Sequence, residues 1–405
     1  MKPRKILVTV GDGMADRAVK DLGWRSPLEV AETPNIDLLA RRGVLGVHVP
    51  LKSGVRVESE DANLSIMGYD PSKIRIRRGP IEALGRGIRL ERGEIAFRTN
   101  FATVENGILV DRRAGRFNWD PKPLEEALNK IKVRGAEVKY YHSLEHRGII
   151  VMRSKTPLSP HVSDTDPHAV GVPPIKSKPI QESGPALRTA KILNEYIEEA
   201  EKSLDKLPLN REREEQGLLP ANTLITRGAG TLPDIPSFTE EYGLRGAVIC
   251  GMPMIKGLAR IVGLEAPDVE GATGRTDTNF DGKTEAAIKA LEEFDYVYVH
   301  VKAMDSASHD GNVELKVRMI ERFDGLVGKI LEASPKDEVV VCITADHVTP
   351  VRLGEHRGDP VPFLVWFSEI IGDEATRFSE REAYKGGFHR IRANELMSIL
   401  LEYAR

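Results

Sequence analysis

The chain has 405 residues, 40% of them apolar, with 58 Lys and Arg against 61 Asp and Glu and a formal net charge of −3. Charges of both signs interleave, so no single-sign field favours nucleic acid or a membrane surface. Apolar runs such as Tyr296–Val301 fall far short of the ~20 residues that cross a bilayer. The basic start Met1-Lys2-Pro3-Arg4-Lys5 is followed by only a short apolar run before Gly11-Asp12-Gly13, which does not read as a secretory leader. Cys250 and Cys342 each sit in an apolar stretch and read as buried thiols of a reducing cytosol. Glutamine occurs only at Gln181 and Gln216, which tilts the source toward heat adaptation. The expectation is a soluble, cytoplasmic chain of two or three domains at ~150 residues each.

Ile6-Leu7-Val8-Thr9-Val10 is a short buried strand stopped by a Gly11-Asp12-Gly13 turn. Thr33-Pro34 offers an N-cap and a first-turn proline, and Ile36, Leu38, Leu39 and Val44 carry a helical pattern toward Gly43. From about Arg77 to Leu232 shorter strands are expected, prolines gather over 157–185, and 195–215 is a strongly charged helix-like stretch. Residues 286–294 then read as a helix leading into the strand Tyr296–Val301. Residues 313–331 repeat apolar positions at three- and four-residue steps, a long helix. Strands follow at 339–343 and 361–367, and 394–403 closes as an amphipathic helix. Alternation of this kind implies a mostly parallel sheet flanked by helices, an α/β class. The pattern predicts a discontinuous domain, 1–76 with 233–405, carrying a smaller inserted α+β domain at 77–232.

Three of these strands end directly in an aspartate: Asp12, Asp305 within Val301-Lys302-Ala303-Met304-Asp305, and Asp346 in Ala345-Asp346-His347. Ligands bind at the carboxyl ends of strands in open α/β sheets, so parallel strands would bring these acids to one rim. His309, His347 and His356 follow close behind. The set Asp12, Asp305, His309, Asp346, His347 and His356 has too many donors for one tetrahedral ion and suits two divalent metals. His300, inside a strand, reads as a core residue or a support for a ligand, and His48 receives no role. Near Asp12 a nucleophile is expected. Val57-Glu58-Ser59-Glu60-Asp61-Ala62-Asn63-Leu64-Ser65 offers two serines among acids, and a divalent ion can acidify a hydroxyl. The same stretch also reads as a helix start capped by Ser59.

Eleven stretches, in order, carry a resemblance: Gly11-Asp12-Gly13, Thr33-Pro34-Asn35-Ile36-Asp37, Leu64-Ser65-Ile66-Met67-Gly68-Tyr69-Asp70-Pro71, Arg78-Gly79-Pro80-Ile81-Glu82-Ala83-Leu84-Gly85, Asp111-Arg112-Arg113-Ala114-Gly115-Arg116, Ser163-Asp164-Thr165-Asp166-Pro167-His168, Arg227-Gly228-Ala229-Gly230, Gly271-Ala272-Thr273-Gly274, His309-Asp310-Gly311-Asn312, Ala345-Asp346-His347-Val348-Thr349-Pro350 and Asp359-Pro360-Val361-Pro362. With them the chain resembles the archaeal type of cofactor-independent (2,3-bisphosphoglycerate-independent) phosphoglycerate mutases, of the alkaline phosphatase superfamily. The resemblance implies an alkaline-phosphatase-like fold and a glycolytic isomerase. It implies one metal on Asp305, His309 and His356, and another on Asp12, Asp346, His347 and the hydroxyl of Ser59. The metals would be Mn2+ first, with Co2+, Zn2+ or Mg2+ as alternatives, and no 2,3-bisphosphoglycerate would be needed. Ser59 is implied as the nucleophile that takes the phosphoryl group of 3-phosphoglycerate and returns it to the other hydroxyl. Arg112, Arg113, Arg116 and Arg227 are the implied clamps for this small-molecule substrate, with Asp164, Asp166 and His168 as partners for the glycerate hydroxyls; Lys256 or Lys283 could add a phosphate contact.

The chain departs from that family where Gly-Ser-Asp-Thr-Ala-His is usual and Glu58-Ser59-Glu60-Asp61-Ala62-Asn63 stands instead. Glu58 brings an extra negative charge and Asn63 replaces a histidine. The turn before Arg78-Gly79-Pro80 is also altered, to Arg75-Ile76-Arg77. These changes leave room for a metal-dependent phosphohydrolase or phosphotransferase of another small phosphorylated metabolite. A metal-binding paralogue without catalysis is the third reading.

Overall fold

The computed structural model describes residues 4–52, 54–74, 76–116 and 120–405. They form two compact units, one from residues 1–75 and 235–405 and the other from 76–234. The strands in chain order are β1 (Lys5–Gly11), β2 (Val44–Val49), β3 (Ile95–Glu105), β4 (Ile108–Asp111), β5 (Glu137–Leu144), β6 (Arg147–Arg153), β7 (Thr223–Gly230), β8 (Gly246–Ile249), β9 (Tyr296–Val301), β10 (Val339–Thr344), β11 (Val361–Trp366) and β12 (Arg390–Arg392).

The first unit is built on a seven-stranded sheet, in the order β12-β2-β11-β10-β1-β9-β8. Only β11 runs against its neighbours β10 and β2. Continuous apolar runs such as Val339–Thr344 are buried along their whole length, as expected of strands covered on both faces. Leu7, Val297, Val299, Val341 and Ile343 alternate along three strands and share one core with Phe280, Ile320, Phe323 and Leu326 from the helices Phe280–Glu293 and Val313–Ala333. Leu396–Ala404 also packs on β1 and β10. The register pairs Gly11 with Val301 and Val10 with Thr344, so β1, β9 and β10 end level with one another at a single edge.

Three local expectations are corrected. The helix Pro34–Ala40 does begin after Thr33, but Thr33 makes no side-chain cap; its hydroxyl donates to Asp37 Oδ1 at 3.2 Å. The exposed first-turn N–H groups are met from the long helix instead, where Asp324 Oδ1 accepts from Ile36 N at 2.8 Å. A carboxylate at a helix N-terminus is favoured whichever part of the chain supplies it. Val44 belongs to β2, not to the helix. Ser59 is not a cap either: Glu58 holds that position, with no side-chain cap bond, and Ser59 opens the helix Ser59–Ile66.

The second unit is an antiparallel sheet in which β3 pairs β4, β6 and β7, and β5 pairs β6. Its strands are not short. β3 has 11 residues, β5 and β7 have 8 each, and the longest strand of the first unit has 7. The sequence hides β3 because Arg98, Thr99 and Asn100 interrupt its apolar run; the sheet tolerates them because Thr99 donates to Ile225 O at 3.1 Å and Arg98 pairs with Glu82 at 3.2 Å. Phe97, Phe101, Tyr140, Leu193 and Tyr196 centre the core of this unit. The charged stretch divides into the helices Gly184–Leu204 and Pro208–Glu215, the second opened by its proline. Among the described residues no helix is long and apolar enough to cross a membrane.

Candidate metal centre

The level ends of β1, β9 and β10 place Asp12, Asp305 and Asp346 together, all at most 1% exposed. Asp305 and His309 lie on one short helix, Ala303–His309, at a spacing that puts both on the same face. His356 arrives from the segment after β10. Ligand atoms of Asp305, His309 and His356 lie within 4.8 Å of one another, as do those of Asp12, Asp305 and His347, and of Asp12, His300 and Asp346. Ser59 is 7% exposed and its Oγ lies 3.1 Å from His347 Nε2. All seven residues singled out around the metals are therefore gathered in one place.

The imidazoles are oriented by bonds on their far sides. His309 Nδ1 donates to Gly354 O at 2.7 Å, and His356 Nδ1 donates to Val57 O at 3.1 Å. A carbonyl can only accept, so each Nδ1 carries the proton and each Nε2 presents a lone pair when the ring is neutral. The two Nε2 atoms face each other at 3.3 Å, with Asp305 oxygens at 3.2 Å and 3.4 Å. In the same way the Thr349 hydroxyl donates to Asp305 Oδ1 at 2.8 Å and takes the Nδ1 proton of His347 at 3.0 Å. His347 Nε2 then faces Asp12 Oδ1 at 3.4 Å, an oxygen buried without a hydrogen-bond partner. Lone pairs converging on carboxylate oxygens, with every ring braced from behind, are the donor set of a divalent cation. The residues fit two such ions.

The electrostatics agree. Burial drives the Asp346 carboxyl up to about 7, beside the like charges of Asp12 and Asp305. Burial pushes Asp12 the same way, but Lys302 and the neighbouring imidazoles outweigh it and hold it at about 2. Burial lowers His347 to about 4, keeping the ring neutral at pH 7. The hydrogen bond to Asp305 raises His309; burial opposes charge on His356, and Asp305 outweighs that too. Cations are welcome at every point around Asp305.

One neighbour, Lys302, was given no role in the sequence. Lys302 directly follows β9 and its ammonium contacts Asp12 Oδ2 at 3.3 Å and Asp305 Oδ2. Asn63 donates to Asp346 Oδ2 and to Ser59 O, both at 2.8 Å, and accepts from the Tyr298 hydroxyl at 2.6 Å. An amide thus ties the start of the Ser59 helix to the rim. Glu58 points to solvent beside Arg56, 3.6 Å away. His300 is buried with Nε2 3.3 Å from Asp12 Oδ2. His48 bonds to Thr344 Oγ1 at 2.9 Å. Lys283 is fully buried, its ammonium donating to His300 O, so it offers no phosphate contact at the surface; Lys256 pairs with Asp268.

The remaining expected residues belong to the second unit. Arg112 grips Asp166 with two bonds of 2.8 Å and 2.7 Å and reaches His168 Nδ1 at 3.1 Å. Arg227 is partly buried, and burial lowers its pKa, with Asp166 and Arg112 acting on it electrostatically. Asp164 accepts from Gly228 N at 2.9 Å. Arg113 and Arg116 are exposed, and together with Arg147 and Arg98 they hold His146 in its neutral form, at about 4, behind the larger effect of burial. Arg98, Arg147 and His146 were not singled out in the sequence.

Residues 4–403 match the family model described as the metalloenzyme superfamily. A Methanopyrus kandleri protein named 2,3-bisphosphoglycerate-independent phosphoglycerate mutase is 45% identical over 409 aligned residues, covering 99% of this chain and 96% of its own. Among solved structures, a cofactor-independent phosphoglycerate mutase from Thermoplasma acidophilum is 36% identical with a TM-score of 0.78, covering 99% and 100% of the two chains. A Pyrococcus horikoshii protein at 36% identity gives 0.86 over 100% and 98%.

Proposed function

The chain belongs to the 2,3-bisphosphoglycerate-independent phosphoglycerate mutases, isomerases of the metalloenzyme superfamily, and on that premise we propose that it interconverts 3-phosphoglycerate and 2-phosphoglycerate through a phosphoserine at Ser59. The observation that carries this reading is the placement of the Ser59 hydroxyl 3.1 Å from His347 Nε2, at the border of the Asp12, Asp346 and His347 donors. Asp305, His309 and His356 would hold one divalent cation, and Asp12, Asp346, His347 and Ser59 Oγ the other. Imidazole with carboxylate suits manganese, cobalt or zinc, and magnesium less well; manganese is taken as the first candidate. Such cations acidify a hydroxyl and neutralise phosphate charge.

Ser59 Oγ, losing its proton, bonds to phosphorus while the bond from phosphorus to the C3 oxygen of glycerate breaks and that oxygen is protonated. Ser59 opens a helix, whose first-turn N–H groups favour the resulting dianion. The freed glycerate turns, its C2 oxygen bonds to the same phosphorus as that hydroxyl gives up its proton, and the bond from phosphorus to Ser59 Oγ breaks, the serine oxygen taking a proton back. Asn63 holds the start of that helix through both half-reactions by its bond to Ser59 O. The guanidinium groups of Arg112, Arg113, Arg116 and Arg227 are assigned to the carboxylate and phosphate of the substrate, since they bind both bidentately. Asp164, Asp166 and His168 are assigned to the hydroxyls. A cytoplasmic setting goes with this role.

The test is direct. Purified protein with Mn2+ and 3-phosphoglycerate, coupled to enolase, should generate phosphoenolpyruvate without added 2,3-bisphosphoglycerate. Release of inorganic phosphate with no 2-phosphoglycerate would instead identify a hydrolase.

A further inference from the structure

Lys302 lies between two carboxylates of the centre. Its ammonium meets Asp12 Oδ2 at 3.3 Å and also Asp305 Oδ2, carboxylates that fall in different metal sets. It therefore lies between the two donor sets. The three carboxylates of the centre are closed off from solvent, at 0–2% side-chain exposure for Asp12 and Asp305, while the Lys302 side chain is 19% exposed. An ammonium has three N–H donors. Two are spent on Asp12 and Asp305, and one is left.

A phosphoryl group in transfer from or to Ser59 carries negative charge on three oxygens, and a fixed ammonium offered where that charge develops is a strong source of stabilisation. Building on the functional reading above, we propose that Lys302 is a further catalytic residue, a third cation that donates its remaining N–H to the transferring phosphoryl group. Its bonds to Asp12 and Asp305 point it from the rim without making it a metal ligand. Its side chain needs no rearrangement between half-reactions, because the phosphorus returns to the same place in each.

The experiment measures binding of inorganic phosphate to the Mn2+-loaded full chain by calorimetry, with Mn2+ affinity measured separately. Lys302→Met should weaken phosphate by about tenfold to a hundredfold. Its Mn2+ affinity should hold or tighten, because a positive charge leaves the neighbourhood of the ions. Lys302→Arg should recover part of the phosphate loss, and Lys302→Gln, which keeps a donor without the charge, should resemble methionine and stands in for it if the methionine variant fails to fold. Unchanged phosphate affinity overturns the proposal. So does a parallel loss of Mn2+ affinity, which would make Lys302 a brace for the carboxylates. The functional reading fails separately, through a wild type that makes no 2-phosphoglycerate.

Discussion

Thr349 and His347 are joined by a bond that also reaches the other metal set: the Thr349 hydroxyl accepts the Nδ1 proton of His347 at 3.0 Å and donates its own to Asp305 Oδ1 at 2.8 Å. One hydroxyl thus aligns a donor of each proposed metal set. Thr349→Val keeps the shape and removes both bonds. Mn2+ titration should show both binding steps weakened, by about tenfold to a hundredfold, the usual cost of losing an outer partner of a ligand. Weakening of one step alone would show that the sites are braced independently.

Ser59→Ala removes the proposed nucleophile and one of four ligands on its cation. Turnover should vanish, and protein incubated with 32P-labelled 3-phosphoglycerate should carry no acid-stable label. Two Mn2+ ions per chain should still bind, since Asp12, Asp346 and His347 remain. Residual mutase activity in this variant is the outcome that would refute the serine route.

Beneath the same rim lies a buried ion pair. Lys316, 0% exposed on the helix Val313–Ala333, bonds to Asp16 Oδ2 at 2.7 Å, to Ala15 O at 3.3 Å and to Thr349 O at 3.0 Å. It ties the segment after β1 to the segment after β10. Lys316→Met strands the Asp16 carboxylate in the interior, and denaturant unfolding should report a loss of roughly 3–5 kcal/mol. Lys316→Met with Asp16→Asn should recover a large part of it. If the double variant is no better than the single one, the pair is not what holds these segments.

Acid should weaken the fold through His48. Burial lowers its pKa from 6.5 to about 4, and its Nδ1 is buried with no partner for a second proton. The folded value lies below the unfolded one, so the contribution is complete above pH 6.5 and is lost as the pH falls toward 4. Its full size is about 3 kcal/mol, at 1.36 kcal/mol per pH decade. His146 and His347 titrate over a similar range, so the useful quantity is the difference from His48→Gln, whose amide can still donate to Thr344. Unfolding free energies at pH 4 and pH 7 should fall less for the variant by about that amount.

The gathering of the acids and imidazoles was legible because β1, β9 and β10 are largely apolar runs followed closely by an aspartate, and parallel strands align such ends. The acid stands directly after β1, two residues past β10, and on the short helix that follows β9. Lys302 was not legible: a lysine after a strand reads as solvated until the two carboxylates on either side of it are seen. Thr349 was hidden for a related reason, since its hydroxyl acquires a role only when His347 and Asp305 are folded onto it from both sides. Asp324 capping the helix Pro34–Ala40 is the same case, with Thr33 the obvious local candidate and a distant carboxylate the actual one. In the second unit, polar residues within β3 broke the pattern by which strands are recognised, and its arginines carry meaning only once folded against Asp166, Glu82 and His146.

The central strand β1 pairs Lys5 with Val339 on one side and Ile6 with Tyr296 on the other. During synthesis the first strand to leave the ribosome must wait for nearly three hundred and then well over three hundred residues before either neighbour exists. Contacts of such long range close late and slowly. Residues 76–234, whose strands pair only with one another, can be finished in the meantime. A nascent chain stopped before His356 therefore lacks part of the gathered donor set, so the phosphoryl transfer proposed above would wait until synthesis is nearly complete.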